Sequence, residues 1–201
     1  MNLKEHISTM LARFGGWCDP DKALKLCDLI FESKPKTVVE VGVFAGKSAI
    51  SMALACKLNG GGVVYGVDSW CASDCIVDEN QANTEWWSTK VNLDRVYEEC
   101  LRHIAEEEVG GHINILKLPS RKAAFLFDSV DLLHIDGNHA ELPSTTDVLT
   151  WVPLLRSGGY LILDDFNWDS QDTARRMIEK MCDPVSEHSL KESCFAVYRK
   201  R

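Results

Sequence analysis

Acidic side chains stand at or near the points where predicted strands end. They are Glu40, Asp68, Asp136, Asp164 and Asp165. Because the carboxyl ends of parallel strands meet at one edge of a sheet, these carboxylates are expected to converge on one site. Acids that cap the helices after each strand would explain Asp68 or Asp136 singly, but they explain the whole set poorly.

Three of these carboxylates suit a metal ion. Asp136, Asp164 and Asp165 offer the hard oxygen ligands that magnesium prefers. A bound divalent cation orients a hydroxyl group and lowers its pKa, as it does for water. The sequence therefore predicts a site for magnesium, or another divalent cation, that activates a hydroxyl oxygen. One carboxylate could instead cap the next helix, and Asp165 is the candidate for that role.

A turn rich in small residues follows the first strand, in the segment 40–50, EVGVFAGKSAI. Its Gly-Lys-Ser suggests a phosphate-binding loop, but the spacing from Gly42 is one residue short, and Glu40 would repel a phosphate. The dinucleotide fingerprint is missing as well, because the first close pair of glycines is absent. Small residues at Gly42, Ala45 and Gly46 still let a ligand approach the backbone closely.

Two carboxylates beside this turn indicate which ligand it holds. Asp68 ends the next strand, where an acid can bind the two hydroxyl groups of a ribose. Glu40 attracts a cationic amino group, through the loop or through a water. A ribose and an ammonium group in one cleft describe S-adenosylmethionine.

The chain alternates strand and helix patterns that would position these residues. Strands are expected at 36–43, 63–67, 112–116, 130–135 and 160–163, with two more runs around 185 and at 195–198. Helices are expected at 3–14, 47–57, 86–108, 121–127, 142–155 and 171–181. Continuous apolar strands between helices predict an α/β fold with a doubly wound, mostly parallel seven-stranded sheet and helices on both faces. His134, inside the fourth strand, is expected to be a core histidine.

The length of 201 residues predicts a single domain, 1–201. Its N-terminal helical segment is 1–34, and the long connection 69–90 is expected to close over substrate, with 14–17 joining it. The amphipathic helix 3–14 packs either on its own sheet or on a partner subunit, which leaves a homodimer open.

Charge and composition exclude several classes of protein. The net charge of −8 argues against a nucleic-acid partner, which would want a basic patch. The sequence shows neither a signal peptide nor a membrane span, which predicts a cytoplasmic protein without a membrane partner. Its eight cysteines are then expected to be reduced thiols. Cys71 and Cys75 lack the second pair that a zinc site would want.

Two sets of motifs carry a family resemblance. The segment 39–49, VEVGVFAGKSA, resembles the first motif of class I S-adenosylmethionine-dependent methyltransferases, especially the metal-dependent group like catechol O-methyltransferase. IDGNH at 135–139 and GGYLILDD at 158–165 resemble the sugar O-methyltransferases of macrolide, aminocoumarin and rhamnosyl pathways and cephalosporin hydroxylase-like proteins.

This resemblance implies a Rossmann-like methyltransferase fold whose last strand is antiparallel. It implies a magnesium-dependent O-methyltransferase that acts on a small hydroxylated molecule, such as a sugar, polyol or phenol. The residues that it places around the cofactor are Gly42, Phe44 and Ser48 at the methionine end, Asp68 at the ribose, Ser69 and Trp70 beside the adenine, and Ser120 and Arg121 at the adenine edge. Glu40, Ala45, Gly46 and Asp136 complete the predicted cofactor site. Trp70 could instead anchor the loop on the core.

The general base departs from both resembling groups. Catechol-type enzymes have a lysine three residues after the first metal aspartate, where this chain has His139. The sugar enzymes have an aspartate two residues after it, where this chain has Asn138. Histidine is a competent base near neutral pH, so His139 is the predicted catalytic base. It could equally be a loop hydrogen-bonder or a metal ligand.

Two other functions fit parts of the pattern. The changes at Asn138 and His139 suit a module that binds S-adenosylmethionine without catalysis. A metal-dependent hydroxylase-like enzyme on the same scaffold would want two histidines and a carboxylate, and His139 alone is well placed for that.

Overall fold

A seven-stranded sheet forms the centre of the computed structural model, which describes residues 2–190 and 193–201. The strands are β1 (Thr37–Val41), β2 (Val63–Asp68), β3 (Ile113–Lys117), β4 (Val130–Ile135), β5 (Leu155–Asp164), β6 (Cys182–Ser189) and β7 (Cys194–Lys200). Their order is β3-β2-β1-β4-β5-β7-β6. β1 to β5 pair in parallel, and β7 runs antiparallel to β5 and β6. The predicted sheet with an antiparallel last strand is confirmed.

Nine α-helices are present in the described part of the chain. They are α1 (Leu3–Leu11), α2 (Pro20–Ser33), α3 (Lys47–Leu58), α4 (Ala72–Cys75), α5 (Gln81–Thr89), α6 (Leu93–Glu106), α7 (Ser120–Ala123), α8 (Glu141–Trp151) and α9 (Asp172–Glu179). Short 3-10 turns extend α7 at Ala124–Leu126 and α8 at Val152–Leu154, and a third precedes α9 at Asp169–Gln171.

The core lies in two layers because successive strand residues point to opposite faces of the sheet. Val38 belongs to the layer that contains buried residues of α1, α2, α3 and α6, whereas Val39 belongs to the layer covered by α7, α8 and α9. The apolar residues of α1, among them Ile7 and Met10, pack in the first layer on this same chain. No helix in the described ranges combines the length and apolar character that crossing a bilayer requires.

Three predicted features differ from the structure. The single helix expected at 86–108 is wrong, because the chain breaks between α5 and α6, where the side chain of Asn92 accepts from the backbone N–H of Arg95 and caps α6. The connection 69–90 is largely helical rather than a loop, since it contains α4 and α5. The helix expected at 142–155 ends at Trp151 and is extended by a 3-10 turn, so that Leu155 and the segment 157–159 lie in β5 instead.

Candidate functional site

The turn after β1, residues 42–46, takes left-handed backbone conformations at three positions. The φ angles are 89° at Gly42, 50° at Phe44 and 91° at Gly46. A Cβ atom at Gly42 would lie 2.1 Å from the carbonyl oxygen of Asp136. The glycine is therefore required by the close approach of the loop after β4, residues 136–140, called the β4 loop below. This turn, called the β1 turn below, is therefore in direct contact with the loop that carries Asp136.

The carboxylate of Asp68 holds the β1 turn in place. Its Oδ2 accepts the backbone N–H groups of Val43 and Phe44, both at 3.0 Å, and its Oδ1 accepts that of Trp70 at 2.8 Å. Burial raises the pKa of Asp68, and these three hydrogen bonds oppose that rise. A carboxylate has about four acceptor positions, so roughly one stays free for a ligand hydroxyl.

Glu40 and His134 form a buried pair between β1 and β4. They are direct partners in the register of these strands, and Oε1 of Glu40 lies 2.8 Å from Nδ1 of His134. Burial alone would lower the pKa of His134, but the carboxylates of Asp164 and Glu40 raise it to about 9. Oε2 of Glu40 and Nε2 of His134 have no hydrogen-bond partner among the described residues.

A lysine that the sequence argument missed reaches the end of β4 and β5. The ammonium nitrogen of Lys22 lies 2.9 Å from Oδ2 of Asp136 and 2.6 Å from Oδ1 of Asp164. Its side chain is 0% exposed. The two carboxylates therefore share one internal cation.

These contacts shift the pKa values of all three groups. Burial alone would lower the pKa of Lys22, but the carboxylates of Asp136 and Asp164 raise it well above its ordinary value. Burial raises the pKa of Asp164, but the lysine and His134 outweigh burial and hold it below its usual range. Burial and the charge of Asp164 raise the pKa of Asp136 well above its usual value. The pair Lys22–Asp164 thus carries the opposite charges, with Asp136 beside it.

The start of α2 aims Lys22 at this site. Asp19 caps the helix by accepting the backbone N–H of Lys22, and Pro20 occupies the first helical position. A basic residue in the first turn opposes the helix dipole, so a nearby anion is needed to make the position favourable. A lysine in the first turn of α2, where the helix dipole disfavours it, is therefore the feature of the sequence that could have indicated an anionic partner for Lys22.

His139 lies on the loop after β4, between two carboxylates. Its Nε2 is 3.4 Å from Oδ2 of Asp165 and 3.7 Å from Oδ1 of Asp136. The buried amide of Gln171 donates to the carbonyl oxygen of His139 at 3.1 Å, and the ring of Trp168 packs edge-on at 5.4 Å. Burial lowers the pKa of His139, although the nearby carboxylates oppose this. A neutral imidazole with its Nε2 facing carboxylates can take part in proton transfer.

Comparison with known proteins decides the family. The sequence pattern described as a methyltransferase domain matches residues 39–166, more than half of the chain. The chain belongs to this methyltransferase family. The matched residues include the β1 turn, Asp68, and the loops that carry Asp136, His139 and Asp165. No curated protein matches the sequence of this methyltransferase.

Solved structures share the fold at low sequence identity. Cofactor-bound Rv0187 from MTB is 17% identical, with a TM-score of 0.67, over 98% of this chain and 88% of that one. An O-methyltransferase from Bacillus cereus in complex with SAH is 13% identical, with a TM-score of 0.67, over 98% and 90%. TomG from Streptomyces achromogenes, an O-methyltransferase of tomaymycin synthesis in complex with SAM, is 13% identical, with a TM-score of 0.65, over 100% and 91%. The predicted class I methyltransferase fold is confirmed.

The acidic cluster of the methyltransferase does not fit a magnesium ion in this arrangement. Magnesium requires several oxygen ligands at about 2.1 Å around one centre. Here the ammonium of Lys22 already lies between Asp136 and Asp164, the two carboxylates that would supply those ligands. Within residues 2–190 and 193–201, one group of close ligand atoms joins Asp136 and Asp164 to the imidazole of His139, but neither of the two groups contains Asp165. Nor does it cap α9, which begins at Asp172 with Gln171 as its N-cap residue.

Several predicted cofactor residues of the methyltransferase have internal partners. Trp70 is buried, packs on Tyr97 with ring centroids 4.8 Å apart and donates from Nε1 to the carbonyl oxygen of Phe44. Its position therefore supports the alternative role, an anchor on the core, rather than a contact with adenine. The hydroxyl of Ser120 donates to Asp147 and accepts from Trp151. Arg121 is exposed.

The remaining predicted cofactor residues lie at or near the β1 turn. Ser69 follows Asp68 and is half-buried. Ala45 is buried and its carbonyl oxygen lies 3.4 Å from Nδ1 of His103. Ser48 is buried in the first turn of α3, which Gly46 precedes as its N-cap residue. The structure thus brings the predicted residues around the β1 turn together, while Ser120 and Arg121 come from α7.

The segment 70–90 of the methyltransferase contacts both the β4 loop and the β1 turn. The side-chain amide of Asn138 donates to the carbonyl oxygens of Cys75 and Val77, which ties this segment to the β4 loop. Trp86 and Trp87 of α5 pack on each other and on Trp17, with ring centroids 4.8 to 6.4 Å apart. The ring of Phe44 completes this aromatic cluster, 5.2 Å from Trp17 and 6.0 Å from Trp87.

Proposed function

We propose that the protein transfers the methyl group of S-adenosylmethionine to a hydroxyl oxygen of a small molecule, such as a sugar, polyol or phenol. The observation that carries this proposal is the contact between the β1 turn and the loop of Asp136 and His139. A cofactor on the turn and a base on the loop would then face the same acceptor. The O-methyltransferases from Bacillus cereus and Streptomyces achromogenes, in complex with SAH and SAM, share this fold.

The residues present fit S-adenosylmethionine. One acceptor position of Asp68 is available for a ribose hydroxyl after its three backbone hydrogen bonds. Oε2 of Glu40 is a buried oxygen without a partner among the described residues, and a cofactor ammonium group, or a water bound to it, would supply one. When bound, the cofactor supplies an electrophilic methyl group.

His139 is the proposed general base. An acceptor hydroxyl near its Nε2 could give up its proton as the oxygen attacks the methyl group. This requires the tautomer that carries its proton on Nδ1. The amide nitrogen of Gln171 lies 3.5 Å from Nδ1, a distance at the limit of hydrogen bonding that does not lock the opposite tautomer. No step in this proposal passes through the magnesium ion expected from the sequence, because Lys22 holds two of the carboxylates.

A binding and turnover experiment tests the proposal. S-adenosylhomocysteine should raise the melting temperature of the protein, since a ligand that binds the native state stabilises it. With S-adenosylmethionine and a panel of sugars, polyols and catechols, the release of S-adenosylhomocysteine should depend on the acceptor. His139→Gln should keep the melting shift and lose roughly 100-fold or more in turnover. His112→Gln is the matched control, because His112 bonds to the carbonyl oxygen of Gly62, away from these residues.

Each alternative predicts a different result. A binding module would show the melting shift with no turnover on any acceptor of the panel. A hydroxylase-like enzyme would show no shift with S-adenosylhomocysteine. The structure gives little support to the latter, because His134 and His139 fall in separate groups of ligand atoms in the part of the chain that is described.

A further inference from the structure

Lys22 stands where the sequence argument expected a divalent cation. Its ammonium is within 2.9 Å of Asp136 and Asp164, the two acids that end β4 and β5. Both carboxylates come from strand ends that meet beside the β1 turn. The site therefore contains its own cation, contributed by the N-terminal segment of the same chain.

We propose that Lys22 replaces the divalent cation at this site, and that the methyltransferase works without a bound metal. The lysine and a metal ion would compete for the same oxygen atoms, Oδ2 of Asp136 and Oδ1 of Asp164. Since the two cations would also repel each other at this distance, only one can occupy the position.

The fold favours the lysine in this competition. Asp19 and Pro20 fix the start of α2, so the backbone of Lys22 is held in place beside the site. The hydroxyl of Ser193 donates to Oδ2 of Asp19 and adds a link from that cap to the segment before β7. Ala23 and Leu26 of the same helix are fully or almost fully buried, which keeps α2 against the sheet. Because the ammonium group of Lys22 is attached to the chain, it occupies the site without any metal ion in solution.

Lys22 is a positioning residue in this scheme. Its side chain is 0% exposed, so it would not touch the acceptor directly. It neutralises Asp164 and fixes the orientation of Asp136, whose Oδ1 lies 3.7 Å from Nε2 of His139. In this way the cation would act on the acceptor through the carboxylate and the histidine. This consequence for methyl transfer rests on the proposed function, whereas the exclusion of metal does not.

Binding of Mn²⁺ tests the exclusion without any activity assay. The full-length protein, treated with EDTA and desalted, is titrated with Mn²⁺ while electron paramagnetic resonance measures the free ion. The variants are Lys22→Ala, Asp164→Asn, Lys22→Ala with Asp164→Asn, and Lys25→Ala as a control from the exposed side of α2. Removing the ammonium should open the site, so Lys22→Ala should bind Mn²⁺ at least about 100-fold more tightly than wild type. The double variant should lose that gain, and Lys25→Ala should behave as wild type.

Two outcomes of this titration would overturn the proposal. One is tight binding of a single Mn²⁺ ion by wild type that is lost in Asp164→Asn, a measurement that does not depend on any Lys22 variant. The other is a Lys22→Ala protein that melts cooperatively but binds Mn²⁺ no better than wild type. Weak wild-type binding together with a gain in Lys22→Ala supports it.

Methyl transfer gives an independent readout. Wild-type turnover should be unchanged by EDTA or added Mg²⁺. Lys22→Ala should be slow in EDTA and recover at least partly when Mg²⁺ is added, which a merely structural role for the lysine would not produce. Loss of wild-type turnover in EDTA overturns the proposal. If wild type neither binds S-adenosylhomocysteine nor turns over, the proposed function fails, and the Mn²⁺ titration still decides the role of Lys22.

Discussion

Oε1 of Glu40 lies 2.8 Å from Nδ1 of His134, and both side chains are 0% exposed. This pair joins β1 to β4 next to the β1 turn, which begins two residues after Glu40. The pKa of His134 is raised to about 9, so the histidine is charged at neutral pH and its charge is balanced by Glu40. The pair therefore belongs to the framework on which the site is built.

Glu40→Gln is expected to lower the free energy of unfolding at pH 7 by roughly 3 kcal/mol, because it leaves a buried positive charge without its partner. Urea denaturation followed by circular dichroism measures this change. Glu99→Gln removes a charge from a surface pair with Arg95 and should cost less than about 0.5 kcal/mol. Equal losses in the two variants would show that the buried pair contributes no more than a surface one.

Asp68→Asn tests the link between the second strand and the β1 turn. A carboxylate accepts from Val43 and Phe44 through one oxygen and from Trp70 through the other, whereas an amide offers a single acceptor oxygen. At least one backbone N–H then loses its partner, at a cost of about 1–3 kcal/mol.

Hydrogen exchange of the amides at 43, 44 and 70 should become faster in Asp68→Asn, and S-adenosylhomocysteine should bind more weakly. Asp94→Asn, at an exposed pair with Lys117, is the matched control. Unchanged exchange at all three amides would contradict the role assigned to Asp68.

Asp147 gives the protein a pH-dependent stability. Burial raises the pKa of this carboxyl from 3.8 to about 6, although the hydrogen bond from Ser120 opposes the rise. Below about pH 4 Asp147 is protonated in both the folded and the unfolded protein, so its ionisation does not lower the free energy of unfolding. Between about pH 4 and 6 the unfolded chain ionises first, so the free energy of unfolding falls as pH rises. Above about pH 6 Asp147 is ionised in both states, and the free energy of unfolding stays lower by roughly 3 kcal/mol.

Asp147→Asn removes this ionisation and keeps an oxygen that can accept from Ser120. It should stabilise the protein by up to about 3 kcal/mol at pH 8 and by little at pH 4. Urea midpoints at a series of pH values measure the difference. Asp128→Asn changes an exposed side chain, and the difference between its urea midpoint and that of wild type should be the same at every pH. A gain for Asp147→Asn that is the same at pH 4 and pH 8 would exclude a titration of Asp147 as its cause.

Trp17 and Trp86 are expected to contribute to acceptor binding. Trp17 is 65% exposed and Trp86 is 39% exposed, yet both rings pack in the aromatic cluster that includes Phe44 of the β1 turn. Trp17→Ala should raise the KM of the acceptor by about tenfold, as expected for the loss of aromatic contacts worth about 1.4 kcal/mol.

The affinity of the Trp17→Ala variant for S-adenosylhomocysteine should change little. Steady-state kinetics and calorimetry separate the two effects. Phe125→Ala is the control, because Phe125 is exposed on the 3-10 turn after α7. A weaker affinity for S-adenosylhomocysteine with an unchanged acceptor KM would place Trp17 at the cofactor instead.

The apolar strands, the acids at the strand ends and the helices outside the region 69–108 could be predicted from the sequence. The reason is that these features are local: β1 and β4 are short apolar runs, and their ends are marked by the residues that follow them. The same holds for the β1 turn, because glycine readily adopts the left-handed backbone conformations that Gly42 and Gly46 take there. Asp136 and His139 were predicted to lie in one site because their loop follows a strand end.

Tertiary structure decided which partners these residues have. Lys22 and Asp136 are 114 positions apart, and their contact depends on how α2 docks against the sheet. Trp70 was predicted beside the adenine, with an anchor on the core as the alternative, and in the structure its ring packs on Tyr97. The sequence placed acids at the strand ends through local patterns of a few residues. Only the folded chain brought an ammonium group between Asp136 and Asp164, because the position of a charge in space depends on the packing of distant segments.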